Sequence, residues 1–310
     1  MGAATPVRWP VKRLLLALGL AATVYALVLL VWGDGFSIKW WVLWSLTGAQ
    51  AAGLCLLSYL LRGLRWRLWM AHYGRHFGGA EGLRLYLAGY AFTPTPGNVG
   101  EAMRGLMLAK QPMPLLQSLA IFGAERLADL LCLFLLCLPA FFWMANYPAL
   151  HSAVGSAARL SLIGVAVFIV LSAVVWRNRK RLLTRFSWLQ ETWLCLSVRP
   201  LTWFGLTLVA WAAQGFAVWL ICRALDAHMS PLMAIGFYAV AMVAGALSAL
   251  PAGLGGMELA LTGLLVLQGT SMPQALAMTV LVRLLTLWLA VALGVLALLY
   301  SSLIARDMRL

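Results

Sequence analysis

Long apolar runs alternate with short basic segments along the chain. Residues 14–31 form the first run, behind Arg8, Lys12 and Arg13. It exceeds the roughly fifteen residues of a signal-peptide core and reads as a retained helix. Residues 40–61 predict a second span, opened by Trp40, Trp41 and Trp44, residues suited to a membrane interface. Arg62, Arg65, Arg67, Arg75 and Arg84 follow it and read, with the basic amino terminus, as cytoplasmic. Further spans are predicted at 115–143, 160–176, 201–221 and 274–303. Asn146 opens an external loop that runs to residue 156. The basic stretch 177–199 reads as a cytoplasmic linker whose aromatic and leucine spacing predicts an amphipathic helix on the inner leaflet.

Two apolar segments break this rhythm. Residues 83–108 are interrupted by Pro94, Pro96, Gly97 and Gly100, and residues 231–268 by Pro251, Gly253, Gly255 and Gly256. Both arms of the first segment, and the arm of about ten residues after the second break, are too short to cross a hydrocarbon core that needs about twenty helical residues. Both segments therefore predict re-entrant hairpins. Non-helical backbone at that depth must be satisfied by protein or by a watery cavity, so the tips should line one.

Composition agrees with a membrane protein throughout. The chain is 63% hydrophobic and 10% charged, with a mean hydropathy of +0.90, far from the balance of a soluble domain. The net charge of +14 lies in clusters between apolar runs, the pattern of the positive-inside rule rather than of nucleic-acid binding. Cys55, Cys132, Cys137, Cys195 and Cys222 form no C-x-x-C pair and read as packing residues. His72 and His76 share a helical face but have no carboxylate beside them, so no metal site and no cofactor are expected.

An offset of 157 carries Pro94 to Pro251, Glu101 to Glu258, Gln111 to Gln268, Gln117 to Gln274 and Arg126 to Arg283. The polar matches carry weight, because Glu258 and Arg283 are the only charged residues between Met229 and Ala305. The charge argument gives the two units opposite orientation, 40–143 and 200–303, so the repeat is inverted. Inverted repeats with broken helices near the midplane are a construction of secondary transporters. The expected fold is a single transmembrane domain over 1–310: an all-α polytopic membrane protein with about six full spans and two re-entrant helical hairpins.

Glu101, Arg104, Glu125, Arg126, Asp129, Glu258 and Arg283 form the intramembrane ionisable set. A lone charge at mid-bilayer costs about 2.5 kcal/mol or more, so these groups should pair or face a polar cavity. Symmetry predicts Glu101 with Arg126 and Glu258 with Arg283. Two roles stand open for the pairs: stapling each hairpin to the next helix, or releasing arginine to grip a phosphate with its bidentate fork. Capping the helix after the second break is the plainer role for Glu258.

These residues resemble the transmembrane flippase-like family related to the membrane region of lysylphosphatidylglycerol synthase. The resemblance is carried by F-T-P-T-P-G-N-V-G-E-A-M-R at 92–104, E-R-L-A-D at 125–129, P-A-G-L-G-G-M-E at 251–258 and the later Ala277 to Arg283 spacing. Pro94, Gly100, Glu101, Arg104, Glu125, Arg126, Gly253, Gly255, Glu258 and Arg283 match its motifs. The resemblance implies a prokaryotic inner-membrane protein, similar to the stand-alone members that lack the aminoacylating domain. It implies translocation of a phospholipid or lipid-linked phosphate between leaflets, with membrane lipids as partners; the basic amino terminus and Arg306 and Arg309 read both termini as cytoplasmic. Arg126 and Arg283 would hold the phosphate, while Glu101, Glu125, Asp129 and Glu258 would tune the pocket. No P-loop is present. Two alternatives remain: a lipid-modifying membrane enzyme, for which no catalytic motif is visible, and a scaffold subunit for a synthase or glycosyltransferase. An oligomer is compatible with either.

Overall fold

The computed structural model describes residues 39–95, 101, 102, 104, 113–146, 177, 187–248 and 250–307. The predicted spans at 14–31 and 160–176, the loop residues 147–156, most of the basic run from Arg177, and Pro96, Gly97 and Gly100 lie outside the described residues. Every described element is helical. In chain order they are α1 (Trp41–Trp44), α2 (Leu46–His72), α3 (Gly79–Ala88), a 3-10 turn (Gly89–Phe92), α4 (Leu115–Leu136), α5 (Leu138–Ala145), α6 (Ser187–Ser197), α7 (Pro200–Ala224), α8 (Pro231–Leu247), a 3-10 turn (Pro251–Gly253), α9 (Gly256–Leu267), α10 (Met272–Arg283), a π-helical turn (Leu284–Trp288) and α11 (Leu289–Asp307).

Local sequence sets the helix ends. The Ser45 hydroxyl accepts from the Gly48 N–H at 3.2 Å to start α2, and Ser230 accepts from the Met233 N–H at 3.2 Å to start α8, with Pro231 at its first position. Among the described residues, three stretches are long and apolar enough to cross a bilayer: Leu115–Ala145, Pro200–Ala224 and Met272–Ser301. The chain is a multi-pass membrane protein. Helix α2 packs along α7, and α4 also leans on α7. Helix α8 approaches α5 so closely that a Cβ on Gly236 would stand 2.7 Å from the Ala140 nitrogen.

The second break is fully visible. Helices α8 and α9 pack on one another and neither spans about 30 Å at 1.5 Å per residue. Their outer ends lie together, since the Gln268 amide donates to the His228 carbonyl at 3.3 Å. Between them the backbone enters the left-handed region at Ala252 (φ 53°), Gly253 (φ 65°) and Gly255 (φ 85°). The two glycines take that conformation freely and Ala252 takes it at some strain.

Four features sharpen or depart from the sequence reading. Helix α2 does not end before Arg62; it runs on to His72 and buries both Arg62 and Arg65, so these two arginines are not loop charges. The predicted span 115–143 stands as one apolar stretch, Leu115–Ala145, notched at Cys137, where Pro139 removes a backbone donor and α5 begins. The arm before the first break is helical only from Gly79 to Ala88, followed by the tighter 3-10 turn. The amphipathic helix α6 packs against α4, with Thr192 Oγ1 donating to the Ala120 carbonyl at 3.2 Å, while Trp188 and Trp193 stay exposed.

Candidate functional site

The intramembrane carboxylates and arginines converge between α2, α4, α7, α10 and the two breaks. Glu101 is the centre of the first group: it accepts from Thr93 Oγ1 at 2.9 Å, from Arg104 at 2.5 Å and from Arg126 at 3.2 Å. Arg104 extends a second nitrogen to both Glu125 oxygens, at 2.9 and 3.0 Å, and its guanidinium sits 4.5 Å over the Tyr86 ring. Arg65 donates to Asp129 at 2.6 Å and to Thr207 at 2.9 Å. The indole of Trp211 also donates to Asp129, at 3.1 Å. Residues 125, 126 and 129 share one stripe of α4, which is why the helix can present two acids and an arginine to the same space. Glu101, Arg104, Glu125, Asp129 and Arg65 are all buried. Burial at this level is tolerable because each ion meets an opposite charge at hydrogen-bond range.

The second group is smaller. Arg283 Nε donates to Glu258 at 2.6 Å, and its terminal nitrogen reaches the Ala252 and Gly253 carbonyls at 3.2 Å each. Those carbonyls point at the arginine because of the left-handed turn. Glu258 also accepts from the Gly255 N–H at 2.7 Å. It therefore caps α9 and holds Arg283 at once.

Both groups border one cavity of about 80 Å³, lined among others by Glu101, Arg126, Arg283, Arg62, Gln214 and Tyr59. That is room for several waters or for a phosphate-sized fragment. Arg126 is the most open of the charged groups here, with a third of its side chain exposed, while Arg283 is nearly enclosed. All seven ionisable residues expected from the sequence thus fall around this region, although Arg104, Glu125, Asp129 and Glu258 stand behind the cavity wall rather than in it. Among the break residues, Pro251, Gly253, Gly255 and Gly256 form the second turn. Pro94 lies in the turn after the first 3-10 segment.

Sequence reasoning missed Arg62, Arg65, Gln214, Trp211 and the tyrosines Tyr59 and Tyr238. One signal was available. Gln214 is the single amide in an otherwise apolar span, and it accepts from Arg62 at 2.6 Å and from Tyr238 at 3.4 Å.

The family model of the lysylphosphatidylglycerol synthase transmembrane region matches residues 14–294. The chain belongs to this family. No curated protein sequence matches it. Membership in the lysylphosphatidylglycerol synthase transmembrane family places the cluster in a membrane domain associated with lipids. Both breaks, and both arginines related by the 157-residue offset, lie within the matched range.

Proposed function

We propose that the chain is a lipid translocase that carries a phospholipid or lipid-linked phosphate headgroup through the polar cavity while the acyl or prenyl chains stay in the bilayer. The observation that carries this reading is that Arg126 and Arg283, equivalent by the repeat offset, border the same cavity from the two halves. In the proposed arrangement the two breaks are re-entrant tips of an inverted repeat, and exchange of their conformations opens the cavity to alternate sides. Two contacts support the sidedness. Lys39 and Asp226, on segments read as external, lie 3.9 Å apart, and Tyr73 donates to Glu191, on segments read as cytoplasmic, at 2.8 Å. The proposed home is the prokaryotic inner membrane, with both termini in the cytoplasm.

The test is reconstitution of the full chain in vesicles carrying a fluorescent phospholipid, followed by an impermeant quencher. Vesicles with protein should lose label from both leaflets, and protein-free vesicles from one. Equal protection of the inner leaflet in both preparations would refute translocation. Cysteines placed at Thr95 and Ala252 should label from opposite faces; labelling from one face alone would end the inverted arrangement.

A further inference from the structure

We infer that Arg62 is the anion anchor of the cavity, and that the headgroup it holds is the singly charged phosphodiester of a lipid. Every other arginine bordering the cavity or the groups behind it touches a carboxylate: Arg65 Asp129, Arg104 Glu101 and Glu125, Arg126 Glu101, and Arg283 Glu258. Arg62 touches none among the described residues. It is 8% exposed, and its partners are neutral: the Gln214 carbonyl oxygen at 2.6 Å and the Trp211 ring, 3.9 Å beneath the guanidinium. Its Nε is buried without a hydrogen-bond partner.

A cation with only an amide and an indole for company is costly inside a bilayer unless an anion joins it. The surrounding geometry looks prepared for one. Trp211 is pinned by its bond to Asp129, and Gln214 by Tyr238, so the guanidinium is held in place with an unused donor. Arg62, Arg126 and Arg283 face the cavity, and the only carboxylate lining it among the described residues is Glu101, which Arg104 and Arg126 already share. Across the whole cluster Arg62, Arg65, Arg104, Arg126 and Arg283 oppose Glu101, Glu125, Asp129 and Glu258, a formal surplus of one positive charge. One phosphodiester neutralises it. Arg283, by contrast, already has Glu258 and two carbonyls, so the phosphate goes to the arginine that the repeat does not supply.

This inference rests on the lipid reading of the cavity, and the experiment separates the two. The full chain in detergent is titrated with fluorescent phosphatidylglycerol and, separately, with fluorescent diacylglycerol of the same acyl chains, for the native protein and for R62Q and Q214E. The second variant keeps Arg62 but gives it a carboxylate in place. Thermal unfolding is followed on each, since a structural arginine would move only that. Both variants should weaken phosphatidylglycerol binding by at least about tenfold, the scale of a lost charge-assisted hydrogen bond, and leave diacylglycerol binding unchanged. Native-strength phosphatidylglycerol binding in a folded R62Q or Q214E overturns the assignment. So does an equal loss for both lipids. Competition by soluble glycerophosphoglycerol as strong as by the lipid overturns the lipid source and reassigns the site to a free anion. If the lipid binds through Arg62 but is not moved between leaflets, translocation fails and the anchor stands; the converse result sinks the anchor alone.

Discussion

Around Glu101, arginines are held by side-chain acids; around Glu258, a single arginine is held by one acid and the backbone. Arg104, Arg126 and Arg65 engage Glu101, Glu125 and Asp129 in a chain of contacts from 2.5 to 3.6 Å. At the equivalent places the second half has Leu261 for Arg104, Val282 for Glu125 and Thr286 for Asp129, and Leu261 and Val282 are fully buried. The lesson is that one Glu–Arg pair suffices to close a break if the turn offers carbonyls. The richer network is an addition belonging to the first half. Its added ions, Arg65 and Arg104 against Glu125 and Asp129, are balanced among themselves, and the two acids share α4 with Arg126, the most open arginine of the set.

The sharpest way to break the comparison is to force first-half chemistry on the second. Leu261→Arg places a charge three residues after Glu258, in the register of Arg104 after Glu101, but with no acid at Val282 to receive it. A buried unpaired charge should cost about 3–5 kcal/mol and leave little folded protein. Adding Val282→Glu should recover part of that loss, as read by monodisperse yield and thermal unfolding in detergent. No recovery would mean that the halves differ in packing as well as in charge. Next in size is Glu101→Gln. It leaves Arg104 with Glu125 and Arg126 with Asp129, yet weakens three contacts together, and about 3 kcal/mol of stability should be lost. The corresponding Glu258→Gln should cost less, about 1–2 kcal/mol, because Arg283 keeps two carbonyls and the amide oxygen can still cap Gly255. Equal losses at the two positions would erase the distinction drawn here.

Much of this site could be read from residues in order. The proline and glycine positions announced the second break, because only glycine takes φ of 65° and 85° without strain, and the offset paired each glutamate with an arginine twenty-five residues on. Arg62 and Arg65 defeated the reading for a physical reason. They follow an apolar run and precede Arg67 and Arg75, so the positive-inside rule claims them as loop charges, whereas burial depends on Asp129 and Gln214, some sixty and one hundred and fifty residues distant. Local pattern cannot see a partner on another helix. The notch between α4 and α5 also escaped the reading, although Pro139 stands in plain view, because the apolar run carries on past it.

The smallest expected effect concerns the turn after each arginine. Past Arg126 the chain continues as regular α-helix to Leu136, whereas past Arg283 it widens into the π turn Leu284–Trp288. A π turn leaves carbonyls without their usual donor, and such bulges concentrate at functional places in helices. Here Tyr59, reaching over from α2, puts its hydroxyl 3.1 Å from both the Leu285 and the Thr286 carbonyls and donates to them. In the first half Thr286 is replaced by Asp129, which takes Arg65 from the same helix α2. So α2 braces both turns, by a cation on an acid in one and by a phenol on bare carbonyls in the other. Tyr59→Phe removes only the latter and should cost about 0.5–1.5 kcal/mol, with amide exchange rising at 284–288 and not at 127–131. Exchange rising equally in both turns would show that Tyr59 supports the α2 packing generally, and the contrast between the two braces would fall.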